Sequence, residues 1–248
     1  TMSGRSDGGF EVHEFKMLAD GKYDLNQWND EYWNRFENLL RWCQERKIIV
    51  QIEVWDRFDY SRDNWKTNPW NPANNVNFTS EDTGLATDYP LSPELNRQPF
   101  FFTVPGMALY TPKLEAVRSL QERRVDKMLS FSLKYPNVLY CIDNETSGTP
   151  EWGIYWSNYL RQKASAVGRS VSATEMFWAL DLKQEPHLAS LDHPEHFDFF
   201  EGSQNSAKLD PEENWRNLQY VYERLRKHPR PINHTKIYGV DGGAEWTG

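Results

Sequence analysis

The run Val138-Leu139-Tyr140-Cys141-Ile142 passes without a break into Asp143-Asn144-Glu145-Thr146-Ser147-Gly148. An apolar run of about five residues, closed upstream by Tyr135-Pro136-Asn137 and downstream by Ser147-Gly148-Thr149-Pro150, is too short for a helix. It has the length and boundaries of a strand covered on both faces. Such strands belong to parallel sheets, which need long crossovers between neighbours, so this stretch predicts helices before and after it. Chemistry in parallel α/β sheets gathers outside the carboxyl ends of the strands. The Asn144-Glu145 pair stands at that end, and Glu145 is the first candidate for a reacting group.

The flanking sequence supplies the alternation. Asn29-Asp30-Glu31 caps a helix with acids in its first turn, and Trp33, Phe36, Leu40 and Cys43 follow at helical spacing. Ile48 to Asp56 then reads as a β-branched strand ending in Trp55-Asp56. Thr111-Pro112 opens a helix carried by Leu114, Val117, Leu120, Val125, Met128 and Leu129 that ends before Pro136. Thr149-Pro150-Glu151 opens another, with Trp152, Trp156, Leu160 and Ala164 on one side and Gly168 past its end. Ser170 to Leu180 reads as a strand containing Glu175 and Trp178, and His187 to Leu191 as a single helical turn. Phe197 to Gln204 reads as a further strand, and Asp210-Pro211-Glu212-Glu213 caps a helix built on Trp215, Leu218, Val221 and Leu225. Pro231 to Gly239 holds a last strand around Thr235 to Tyr238. Strand and helix in strict alternation predict an α/β fold with a parallel sheet and right-handed crossovers. Two stretches stand outside it. Thr1 to Asp20 reads as a glycine-rich loop. Residues 57–110 sustain neither helical nor strand periodicity and read as a long loop, expected as a lid or cleft wall on the carboxyl-end face.

Composition narrows the function. The 248 residues are 38% hydrophobic, enough for the core of one domain, and the single domain 1–248 is the expectation. A net charge of −8 with no basic run argues against a nucleic-acid or anionic-membrane partner, and no apolar stretch approaches the length of a bilayer span. The 11 tryptophans and a 15% aromatic share exceed what packing alone recruits and suit ligands with flat apolar faces such as sugars. Cys43 and Cys141 fall inside a predicted helix and a predicted strand and read as small buried residues, not a disulfide. No glycine-rich dinucleotide fingerprint follows a strand, so no cofactor is expected. His193-Pro194-Glu195-His196 puts two histidines close together, but the proline opposes the regular helix a zinc motif needs, so no metal is expected.

The predicted strand ends carry Trp55-Asp56, Asn144-Glu145, Glu175 with Trp178, Glu201 with Gln204, and Lys236. Paired carboxylates flanked by rings are what glycoside cleavage requires. One acid protonates the leaving oxygen while the other stabilises or attacks the sugar carbon, at about 5–5.5 Å apart for retention or about 6.5–9.5 Å for inversion.

Asn144-Glu145, followed by the Thr149-Pro150-Glu151-Trp152-Gly153 helix start, resembles the fourth-strand Asn-Glu of the large clan of retaining glycosidases with (β/α)8 barrels. The wider run from Tyr23 to Asn29, through Val50 to Asp56, to Phe200 to Asn205 and Pro231 to Asn233, is similar to glycosidase-like barrel proteins near that clan. The resemblance implies a partial (β/α)8 TIM barrel of about strands 3 to 7, with Thr1-Met2 as a remnant of strand 2 and the chain as a fragment. It implies Glu145 as general acid/base and Asn144 on the sugar hydroxyl beside the cleaved bond. It slightly favours a secreted or periplasmic setting. The clan's seventh-strand nucleophile has no counterpart in His234 to Gly239. Glu201 and Glu175 are therefore the further catalytic candidates, with Asp56 and Glu245 as other substitutes. Trp55, Asp56, Trp178, Gln204, Asn205 and Lys236 join Asn144 as the expected substrate contacts. Glu145 is expected in a cleft, with Trp55 or Trp178 within stacking reach of a sugar and another carboxylate within about 10 Å. The rival readings are a barrel remnant that binds carbohydrate without cleaving it and a metal-dependent hydrolase. Open edges on the strand Ile48 to Asp56 and near Thr235 predict a homodimer.

Overall fold

The computed structural model describes residues 12–91, 97–207 and 210–236. The chain is α/β. In order it runs β1 (Phe15–Met17), β2 (Tyr23–Trp28), α1 (Asp30–Glu45), β3 (Val50–Asp56), α2 (Arg62–Thr67), α3 (Ser80–Thr83) and α4 (Glu115–Ser132). It continues through β4 (Val138–Asn144), α5 (Pro150–Ala166), β5 (Ala173–Thr174), α6 (Glu185–Leu191), β6 (Phe200–Glu201), α7 (Pro211–Leu225) and β7 (Ile232–Asn233). Short 3-10 turns fill Arg57–Tyr60, Pro99–Phe102, Pro112–Leu114 and Ser203–Ala207. By internal contacts the chain forms two compact units. One holds Thr1–Val50, Asp56–Val138 and Ala166–Arg169, the other Gln51–Trp55, Leu139–Ser165 and Ser170–Gly248.

In the first unit the described part of the expected N-terminal loop, residues 12–20, enters a hairpin. β1 pairs antiparallel with β2, turning through Gly21 at φ 83°, a left-handed conformation that glycine adopts without a Cβ clash. Asn29 caps α1 by accepting from Glu31 N, and Trp33 stacks on Phe131 of α4 at 5.7 Å. The segment expected as a lid is a block wired by asparagine amides. Asn71 Nδ2 donates to the carbonyls of Trp65 and Thr87, Asn75 Nδ2 to those of Pro69 and Asn71, and Asn68 Oδ1 accepts from Trp70 N. These amides satisfy buried carbonyls that no ladder reaches, which is why the stretch is ordered without either periodicity. It is also tied to β2, through Leu25 N on Asn77 Oδ1 at 2.7 Å and Val76 N on Tyr23 O at 3.0 Å. Tyr60, Trp70, Phe100 and Phe101 pack as a ring cluster inside it.

In the second unit the sheet order is β3-β4-β5, with β4 and β5 parallel, and β6 pairs parallel with β7. The two sheets are small, and no barrel closes among the described residues. Asp198 N donates to Ala173 O and Thr174 Oγ1 to Phe199 O, which sets the run into β6 beside β5. Asn233 Nδ2 of β7 donates to Gln51 Oε1 of β3 at 2.8 Å, joining the last strand to the first through side chains. The strands expected over Ser170 to Leu180 and Phe197 to Gln204 shrink to two residues each. After Thr174 the backbone bonds to the loop beyond β4 instead of to a ladder: Thr146 N donates to Met176 O and Trp178 N to Thr146 O. After Glu201 the carboxylate caps Ser203 N and starts the 3-10 turn. The last strand lies at Ile232–Asn233, ahead of its expected position; Thr1-Met2, Ile237, Tyr238 and Glu245 lie outside the described residues. Cys141 is buried and Cys43 half-buried, both as free thiols.

Candidate active site

The end of β4 is one of three places among the described residues, with Lys47 and Arg62, where a non-glycine residue takes a positive φ. Glu145 has φ 49°, in the left-handed region that costs a non-glycine residue roughly 1–2 kcal/mol. This turn lifts the Glu145 side chain off the strand line. Lys236 Nζ meets it at 2.6 Å and donates also to Asn144 Oδ1. The pair is largely enclosed, with side-chain exposures of 11% for Lys236 and 22% for Glu145. Glu145 Oε1 accepts a charge-assisted hydrogen bond from Lys236 Nζ in this arrangement.

What brings Lys236 there is a serine. Ser203 Oγ donates to Glu201 Oε1 and accepts from Thr235 N at 2.7 Å and Lys236 N at 3.0 Å. Ser206 Oγ donates to Lys236 O at 3.0 Å, so both backbone groups of Lys236 are held by side chains of one 3-10 turn. Gly202 makes room for this approach, since a Cβ there would stand 3.0 Å from the His234 ring. The chain Glu201, Ser203, Lys236, Glu145 is thus one continuous polar network from β6 to β4.

The other carboxylates are spent inside the fold. Glu175, expected as a catalytic candidate, is 2% exposed, and its Oε1 accepts from Asp143 N at 2.9 Å, bracing the strand just before Asn144. Glu201 is 1% exposed. Burial pushes its carboxyl above the ordinary glutamate range, opposed by hydrogen bonds from Ser203 and Thr235 and by the Gln51 amide. Asp56 is buried and caps the following 3-10 turn through Phe58 N at 2.9 Å. Glu53, Asp143, Glu175 and Glu201 all bear on Cys141, whose thiol is pushed up by burial first and by these charges second; it stays protonated. Glu175 and Glu201 hold backbone and side-chain donors, and neither offers an open carboxylate.

Among the expected substrate contacts, Trp55 is a core residue at 1% exposure, tilted against Trp156 at 5.2 Å and Trp152 at 6.0 Å, and no sugar can stack on it. Trp178 is 46% exposed and keeps a free ring surface. Gln204 is buried with its amide 3.9 Å from Met176 sulfur. Asn205 ties the 3-10 turn to α7, donating to Asn214 O and accepting from Asn217. Of the expected set, the structure brings together Asn144, Glu145 and Lys236. Ser203 was missed, because its role depends on partners 32 and 33 positions away. No group of three or more metal-ligating side chains is found among the described residues. No protein family, no curated protein and no solved structure matches the chain.

Proposed function

We propose that the chain is a carbohydrate-active protein, a glycoside hydrolase of partial (β/α)8 barrel architecture, in which Glu145 acts on the glycosidic oxygen. The observation that carries this reading is the strained, half-enclosed Glu145 at the carboxyl end of β4, held by Lys236 beside Asn144. Strain retained at a strand end, where a relaxed residue would serve packing as well, is a mark of function. Glu145 exchanges a proton with the leaving oxygen and then with the attacking water; the sugar displaces the Lys236 ammonium on entry and Asn144 binds the neighbouring hydroxyl. The parallel pairings β4 with β5 and β6 with β7, each after a helical crossover, support the architecture. Turnover of a panel of plant and microbial oligosaccharides is the test: Glu145→Gln should lower it by about a hundredfold or more at unchanged stability.

A second reading, carbohydrate binding without cleavage, is favoured by the enclosure of Glu175, Glu201 and Asp56. Binding by the wild-type chain with no turnover, unaltered by Glu145→Gln, decides for it. For assembly we propose a twofold homodimer; sedimentation at micromolar concentration checks this, and a clean monomer refutes it.

A further inference from the structure

α7 lies in the second unit and turns one face inward: Val221 and Leu225 pack with Leu182, Leu191 and Phe200, and Asn217 donates to Asn205 Oδ1. The opposite face carries rings as well. Trp215 and Tyr222, two turns apart, are 61% and 65% exposed. With 3.6 residues to a turn, Glu212, Trp215, Arg216, Tyr222, Glu223 and Arg226 all fall within about 60° of the direction of Gln219, so they form one outward stripe. Within the chain its charges pair with exposed neighbours about one turn away, Arg216 with Glu212 at 3.4 Å and Arg226 with Glu223 at 3.0 Å.

Turned end for end about Gln219, this stripe complements itself. Glu212 then stands opposite Arg226, Trp215 opposite Tyr222, and Arg216 opposite Glu223. The rings lie on one side of the stripe and the Arg216 and Glu223 charges on the other, and a twofold axis perpendicular to the plane of two antiparallel helices keeps each side facing its own kind. A parallel pairing does the reverse, setting Glu212 on Glu212 and Arg226 on Arg226.

The flank of the stripe holds room for a ring. A cavity of about 390 Å³ opens beside Tyr222 at the C-terminal end of α7, walled also by Leu225, Arg226, Pro229, Arg230 and Ile232. Helical side chains lean toward their own N-terminus. On an antiparallel partner that direction runs toward the C-terminal end of this α7, which aims the partner's Trp215 at the cavity.

We infer that the outward face of α7 is the contact surface of the twofold homodimer, a reading that rests on the assembly proposed above: two copies pair antiparallel across Gln219, and the partner's Trp215 seats beside Tyr222. The rings supply the affinity, because Trp and Tyr dominate interfaces whereas exposed ion pairs contribute little. The charges select the antiparallel register against the parallel one. A stripe from residue 212 to residue 226 is about 21 Å long. Such a contact is small, so the dimer dissociates on dilution.

Sedimentation velocity of the full chain from micromolar to submillimolar concentration at low salt reads the dissociation constant. Trp215→Ala, at an exposed ring, should raise it at least about tenfold and leave the melting temperature of the diluted chain unchanged. Arg216→Glu and Glu223→Arg should each raise it about threefold or more, because each sets like charges opposite one another at two symmetry-related contacts. An equimolar mixture of those two variants should associate as the wild type does, since each then meets the opposite sign on the other. A wild-type chain that stays monomeric throughout overturns this surface together with the assembly. A dimer that tolerates Trp215→Ala, that neither charge reversal weakens, or whose mixed variants pair no better than either alone leaves the assembly standing and overturns the α7 contact.

Discussion

Replacing Gly153 by alanine tests the role assigned to Glu175. In an exposed helix interior the change gains about 1 kcal/mol, because alanine loses less backbone freedom than glycine. On α5 a Cβ at this position would stand 2.1 Å from Glu175 Oε2, 3.2 Å from its Cδ and 3.4 Å from Phe197 Cζ. The carboxylate cannot swing out to water, because the residue is 2% exposed and its other oxygen holds Asp143 N at 2.9 Å. Relief of the clash therefore sacrifices a hydrogen bond to a charged group, about 1.5–3 kcal/mol, or overpacks the core at about 1–3 kcal/mol. Set against the helix gain, Gly153→Ala should lose about 0.5–2 kcal/mol, a fall in Tm of about 1–8 °C for a chain of this size. Urea unfolding followed by circular dichroism measures it, and a double-mutant cycle assigns it. In a Glu175→Ala background the same substitution should turn neutral or stabilising, a coupling of up to about 1.5–3 kcal/mol. Stabilisation by Gly153→Ala in the wild-type chain, or equal effects in both backgrounds, would refute the packing of Glu175 on α5.

Ser203→Ala should cost about 2–4 kcal/mol in urea unfolding and reduce any activity through Lys236, because it leaves Thr235 N, Lys236 N and Glu201 without their shared hydroxyl. Glu201 has its carboxyl raised by burial, so the native state holds a proton that the unfolded chain releases. Its contribution is full below the unfolded value and is lost as pH rises through the folded one. The stability of the wild type relative to Glu201→Gln should accordingly fall as pH rises through and above the ordinary glutamate range, and a flat difference contradicts the burial. Trp55→Ala should cost about 3–5 kcal/mol of stability, as expected of a buried indole, whereas Trp178→Ala should weaken sugar binding with little loss of stability.

Much of the order of elements is legible in the sequence, because it rests on local chemistry. Asn29 at the start of α1, Pro150 at the start of α5 and Asp210 at the start of α7 stand where the helices begin, and the apolar run of β4 announces its strand. The N-terminal hairpin and the ordered block between β3 and α4 are not legible. Their backbone is satisfied by antiparallel pairing and by asparagine amides reaching across the chain, which leave no periodic trace. The lengths of β5 and β6 likewise depend on which neighbour wins the backbone groups of residues 175–178 and 202–205.

The candidate site divides along the same line. Sequence alone singles out Asn144 and Glu145, since a short apolar strand ending in a polar pair needs no partner to be recognised, and it flags Lys236 without saying what it meets. Only the tertiary structure decides that Lys236 closes on Glu145, that Glu175 and Glu201 are enclosed acceptors, and that Trp55 is core. A carboxylate's availability is set by which donors surround it and how far water is excluded, and those come from segments remote in the chain.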